Sequence, residues 1–312
     1  MADFNPRNSW AREMVSGPKM KISNGIYTTF PGITANGITV GGLATLIGSA
    51  AMSISYYNPK TDSGNEQIVA SLVGMTFGAL SDWVDGGVAQ LEKDLAWASF
   101  WPGGICTAKE EDPVTFWDSY SDSQIAEIAE FRKERDLIEI KGDTLDAKCD
   151  RIGNTVTAWT RAITAYSRGN KWGERFAFGS AITGGFSSYF RAGQERKYSQ
   201  VDEMGSLFAI NHVKRSALSV VATGIEFVQA PIDALLTAGN SYNSLDRYLH
   251  PTATFDPLKS DNIQKNKYFQ SKREREEFIA RKAEHRQPEL GKMIILSSAG
   301  SIALYKGLRL KP

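Results

Sequence analysis

Cysteine and histidine are scarce in this sequence, and neither is arranged to do chemistry. Cys106 and Cys149 form neither a CxxC pair nor a framework of regular spacings, so neither a zinc site nor a disulfide-stapled fold is indicated, and a reduced compartment fits. His212, His250 and His285 lie far apart and read as edge or surface residues rather than ligands. Charge of one sign is also lacking: 36 Lys and Arg against 35 Asp and Glu leave a formal +1, which implies no polyanionic partner such as nucleic acid. There is no internal repeat. No signal-peptide pattern opens the chain; Arg7, Arg12, Lys19 and Lys21 precede the first apolar run, without a small-residue cleavage site after it. Residues 1–33 therefore read as a cytoplasmic lead-in whose basic residues favour the inner face of a membrane.

Long apolar runs are few, but apolar and polar residues are segregated. The stretch 37–57 (GITVGGLATLIGSAAMSISYY) has no charge and is long enough to cross a hydrocarbon core as a helix. Its Gly41, Gly42, Ala44, Gly48 and Ala51 suit close packing of helices in lipid. A second candidate, 68–84, begins apolar and ends in carboxylates. More polar candidates follow at 152–166, 176–190, 207–223 and 225–238, where charges such as Arg161 and Lys214 require a bundle interior or a wet cavity. Buried helices of a soluble α-domain are the alternative for these weaker segments. Charge concentrates in 91–141 and 256–292. The first reads as an inserted helical excursion with an aromatic stretch, Trp97 to Trp101, expected at headgroup level. The second reads as a solvated, charged helix. After it, 293–305 is short for a span and reads equally as a surface or tilted helix.

The residues that carry chemistry are acidic. Asp82 and Asp85 stand at i and i+3, and Asp146 and Asp150 at i and i+4, so each pair shares one face of a helix. Two such faces in register make an all-oxygen site for hard divalent cations.

Asp82-x-x-Asp85-Gly86-x-x-Ala89-Gln90, followed by Gly142-x-x-x-Asp146-x-x-x-Asp150, resembles the D-x-x-D-G-x-x-A-R…G-x-x-x-D-x-x-x-D pattern of the CDP-alcohol phosphatidyltransferases. Two features depart from the pattern. Gln90 stands where the family has Arg, so either a nearby base such as Lys93 substitutes or activity is lowered; and 91–141 replaces a spacer of eight residues. Flanking stretches extend the resemblance over 34–250. Thr34-Ala35-Asn36-Gly37-Ile38-Thr39 is similar to the opening of the family's first membrane helix. Ser188-Tyr189-Phe190-Arg191-Ala192-Gly193-Gln194-Glu195 is similar to the fourth helix of phosphatidylinositol phosphate synthases, and Arg215 and Arg247 fall near basic positions of later helices.

The resemblance implies an all-α polytopic bundle of about six transmembrane helices at 34–250, with a cytoplasmic insertion and, at 251–312, a charged helical tail. It implies transfer of a phosphatidyl group from CDP-diacylglycerol to a polar alcohol with release of CMP, at a site facing the cytoplasm. Asp82, Asp85, Asp146 and Asp150 would hold two Mg2+ or Mn2+ ions, with Asp150 the general base. Gly86, Ala89 and Gln90 would face the CDP group, and Arg191, Arg215 and Arg247 an acceptor phosphate. Partners would be the two substrates and membrane lipid, with a homodimer left open. A homologue that has lost catalysis and keeps its carboxylates as a cation-binding brace is the competing reading. Gln90 and the insertion favour it; retention of all the carboxylates counts against it.

Overall fold

The computed structural model describes residues 10–56, 65–100, 120–167, 169–198 and 272–310, with isolated positions at 238, 242, 245 and 249. All the elements described are helices: α1 (Trp10–Thr29), α2 (Ala35–Tyr56), α3 (Asn65–Phe100), α4 (Asp122–Ser167), α5 (Lys171–Tyr198) and α6 (Lys272–Arg309). The expected spans at 207–223 and most of 225–238, together with Arg215 and Arg247, lie outside the described residues.

Local chemistry sets the helix ends. Between α1 and α2 the chain turns through Gly32, whose φ of 94° lies in the region that favours glycine. Thr34 then caps α2, its Oγ1 accepting from the Gly37 amide at 3.1 Å. Ser121 and Gln124 form a reciprocal capping box at the start of α4. Gly169, at φ 71°, closes α4 in a Schellman turn: its amide donates to Tyr166 O and that of Asn170 to Ala165 O. Asn170 Oδ1 then caps α5 by accepting from the Gly173 amide.

Small residues set the packing of α2 on α3. A methyl group added at Gly78 would lie 2.9 Å from both the Gly42 carbonyl oxygen and Leu46 Cβ, and one added at Gly74 would strike Ser49. The backbones approach as closely as glycine allows, the mode expected where packing rather than water drives helix association. Because the obstacle at Gly78 includes backbone, Gly78→Leu is expected to separate α2 from α3 at a cost of about 1–3 kcal/mol or more. A thermal midpoint in detergent equal to that of the unsubstituted chain would refute this packing.

α4 and α6 run parallel. Thr155 meets Ser297, Trp159 Nε1 donates to Ser301 Oγ, and Tyr166 OH donates to Leu308 O, all at one offset of 142 residues. α5 returns antiparallel to both, tied to α6 by Ser297 Oγ on Ala181 O and by Arg309 on Glu174. The described part of the charged stretch, 272–292, and the apolar 293–305 stretch are one continuous helix seated on α4 and α5. This differs from the expected solvated tail, because the Lys and Arg side chains find buried carboxylates on α4 and α5. The described limbs of the insertion continue α3 and α4, and Trp97 is only 2 % exposed, with its ring edge-on to Phe131 at 5.0 Å. Burial between the two limbs replaces the headgroup position expected for Trp97.

Among the described residues one helical segment, 35–52, is long and apolar enough to cross a membrane by length and composition.

Candidate metal centre and its cavity

α3 contributes Asp82 and Asp85, α4 contributes Asp146, and one carboxylate oxygen from each lies within 4.8 Å of the others. Oxygens around a single Mg2+ at 2.0–2.1 Å lie no more than about 4.2 Å apart. The longest separation in the cluster exceeds that distance by little, so the three carboxylates could close on one cation with small side-chain movements. The cluster's hard oxygen donors suit a divalent cation of this class, and these residues can bind a metal ion. Asp150 lies beside the cluster and is hydrogen-bonded to Asp82.

The carboxylates are held in place by neighbours. Thr39 on α2, its hydroxyl 2.5 Å from Asp85 Oδ2, donates to that buried carboxylate. α2 also packs against α4, with Leu43 and Leu46 on the face of Gly153. On the other side of α3, Ser23 Oγ donates to Val84 O and seats α1 across Gly86 and Gly87. A methyl group added at Gly86 would come within 2.9 Å of Lys19 Nζ, so the ammonium group lies against the residue that follows Asp85. Lys19 interacts electrostatically with both Asp82 and Asp85.

Lys19 was not expected at this site, because a lysine on a separate helix has no spacing relation to the aspartates. Lys93, one candidate substitute for the missing arginine, lines the cavity described below and is ion-paired to Glu139 at 2.7 Å. Gln90 donates to Asp94 at 3.0 Å on its own helix.

A cavity of about 470 Å³ opens beside the cluster. Asp85, Gly86, Ala89, Gln90, Asp146 and Arg191 all line it, which gathers the sequence-derived metal, nucleotide and acceptor residues that the described part of the chain contains, apart from Asp82 and Asp150. Phe278, Ile279, Lys282 and Arg286 of α6 complete the wall. Burial alone would push the Asp143 carboxyl up, but Lys282 and Arg286 beside it outweigh burial and hold it below its usual range. Glu139 is likewise held down, between Lys93 and Lys282.

No protein family, curated protein or solved structure matches the chain in comparison.

Proposed function

We propose that this chain is a membrane-embedded transferase that moves the phosphatidyl group of CDP-diacylglycerol to a polar alcohol and releases CMP. The observation that carries this reading is the meeting of Asp82, Asp85 and Asp146, from two separated helices, at the edge of one cavity. Mg2+ or Mn2+ ions, two of them in the full reading, would supply positive charge to the diphosphate oxygens as the bond to CMP breaks. The chain does the rest. Asp85 is oriented by Thr39, and the Lys19 ammonium group, packed against Gly86, would offset negative charge beside the carboxylates where Gln90 offers none. Asp150 takes the proton from the acceptor hydroxyl, whose oxygen attacks the lipid-side phosphorus; that P–O bond forms as the bond to the CMP oxygen breaks.

A membrane setting is supported by an inverted distribution of polarity. Large apolar side chains face outward on α2 (Val40, Ile47), α3 (Val73, Phe77, Leu80) and α6 (Ile295, Leu296, Ile302), while Thr39, Ser49, Ser81, Thr160, Thr164 and Ser301 are buried. An exterior of this kind suits lipid, with further crossings beyond α2 needing a polar interior for their charges. The active site would then face the cytoplasm.

The test is to incubate purified protein with CDP-diacylglycerol, Mg2+ or Mn2+ and a panel of polar alcohols and their phosphates, and to assay CMP. Absence of CMP in every combination overturns the enzyme reading. Retained cation binding in that case favours the brace, which the engagement of Gln90 with Asp94 already favours.

Lys19 gives a sharper check. Lys19→Met is expected to lower kcat/KM for CMP release by about tenfold, the scale of one positive charge removed from beside the carboxylates. Cation binding should hold or tighten, because a positive neighbour of the carboxylates has gone. Parallel loss of both would assign Lys19 to folding alone.

A further inference from the structure

Charge along α4, α5 and α6 falls in two bands. In the band near the carboxylates, Arg286 of α6 meets Asp143 of α4 and Glu195 of α5. At the other end, Tyr166 OH of α4 reaches Leu308 O of α6, and Arg309 of α6 pairs with Glu174 of α5 at 3.0 Å. At 1.5 Å per residue the bands stand about 31–35 Å apart along each helix, close to the hydrocarbon core of a bilayer at about 30 Å. Between the bands lie 176–190 of α5 and 293–305 of α6, which contain no Asp, Glu, Lys or Arg, and 152–167 of α4, which contain only Arg161. Ser297 and Ser301 in the middle of α6 donate within the bundle, to Ala181 O and Ser297 O, as lipid requires of polar groups.

The band far from the metal centre is basic. At this end of α4, α5 and α6, Lys171, Arg175, Lys306 and Arg309 are exposed, against one acid, Glu174, which is buried beneath Arg309. Helix stability does not account for the two cations on α5. Lys171 and Arg175 stand in its first turns, where the helix dipole favours acids. Sidedness does not account for them either, since the face opposite the cytoplasm is ordinarily poor in Lys and Arg. Two of the cations are set against aromatic rings. The Arg175 guanidinium lies 5.5 Å from the centre of the Trp172 ring, itself 61 % exposed, and that of Arg309 lies 5.2 Å from Tyr305. Rings of this kind settle at headgroup depth, which holds the positive charge at the level of phosphates.

We propose that this end of the bundle is a binding surface for anionic phospholipid headgroups in the leaflet opposite the metal centre, with Lys171, Arg175 and Lys306 as the selecting residues. The inference rests on the membrane setting argued above and is independent of the transferase chemistry. The cations at the start of α5 add to the positive end of its dipole, and Lys306 brings a third charge from α6 across the Arg309–Glu174 pair. α5 and α6 are then held together at this end by the lipid as well as by that pair.

The experiment reconstitutes the full chain in phosphatidylcholine nanodiscs and measures exchange of pyrene-labelled phosphatidylglycerol against pyrene-labelled phosphatidylcholine of the same acyl chains. Phosphatidylglycerol is expected to be preferred by at least about tenfold, the scale of two or three cations each attracting an anionic headgroup. Lys171→Gln, Arg175→Gln and Lys306→Gln together should remove most of that preference, and the charge-keeping set Lys171→Arg, Arg175→Lys and Lys306→Arg should retain it. A charge-matched control, Lys133→Gln, Lys141→Gln and Arg273→Gln, alters exposed residues toward the other end and should leave the preference intact. Should the triple glutamine variant fail to fold, Lys306→Gln alone decides, with an expected loss of about twofold or more. No preference in the unsubstituted chain, a preference kept without these cations, or an equal loss in the control overturns the surface. Release of the unsubstituted chain from membranes by alkali overturns the membrane setting and this surface with it. An alkali-resistant chain without lipid selectivity overturns the surface alone.

Discussion

Asp85→Asn is expected to abolish both divalent-cation binding and CMP release, and Asp82→Asn and Asp146→Asn to do the same. An amide offers a neutral oxygen where the cluster relied on charge, and hard cations are selected by the charge count of their oxygen ligands. Charge stabilisation by a bound cation is worth several kcal/mol in the transition state, so turnover should fall on the order of a thousandfold, matching the effect of EDTA. Asp85 should be the most sensitive of the three, being buried and already oriented by Thr39. Asp150→Asn is expected to behave differently. Asp150 lies beside the three-carboxylate cluster through its hydrogen bond to Asp82, so cation binding should weaken modestly while turnover collapses. The control is Asp122→Asn, at an exposed helix start far along α4 in sequence, which should change neither. Isothermal titration with Mn2+, read beside CMP release, separates the two classes. Full activity in EDTA, or Mn2+ affinity unchanged in Asp85→Asn, would sink the metal centre.

Much of that centre was legible because helical periodicity is a local rule. Spacings of three and four put each pair of aspartates on one face before anything was known of the fold. The meeting of the two pairs is not local, and only the joint pattern suggested it. Helix starts were also legible where they depend on short-range hydrogen bonds, as the Ser121-x-x-Gln124 capping box shows. What the sequence concealed was the partner of each charge. The repeating Lys, Arg and Glu residues of 272–286 look like a solvated face, and nothing in their order reveals that Lys282 and Arg286 meet Asp143, more than a hundred residues earlier. Lys19 was hidden for the same reason. Trp97 was misplaced because an aromatic near an apolar helix end has two favourable surroundings, a headgroup layer and a ring such as Phe131, and sequence does not choose between them. Two of the six expected spans fall in 207–238, most of which lies outside the described residues, and of the described helices α2 alone contains a segment that meets the length and hydropathy of a span.

The membrane reading predicts a change of sign that no soluble fold would show. Val73 and Phe77 are one turn apart on α3, and each is 62 % exposed. Were this face wetted, lysine at both positions would leave stability within about 0.5 kcal/mol, as surface substitutions usually do, and would improve solubility. In lipid, each lysine near the middle of a helix costs about 2.5–3.5 kcal/mol on insertion scales. Val73→Lys with Phe77→Lys is therefore expected to cut the membrane-integrated, alkali-resistant fraction at least tenfold. A matched pair supplies the comparison: Leu95 on α3 and Leu137 on α4 are each 50 % exposed, but lie on the helical limbs of the insertion. Lysine at both of these should be neutral, because that part of α3 and α4 projects beyond the bilayer in the proposed arrangement. The chemistry of the two double substitutions is alike, and only the solvent differs. If both are tolerated, α3 is not a membrane helix, and a donor that carries two acyl chains loses the bilayer through which it would reach the carboxylates.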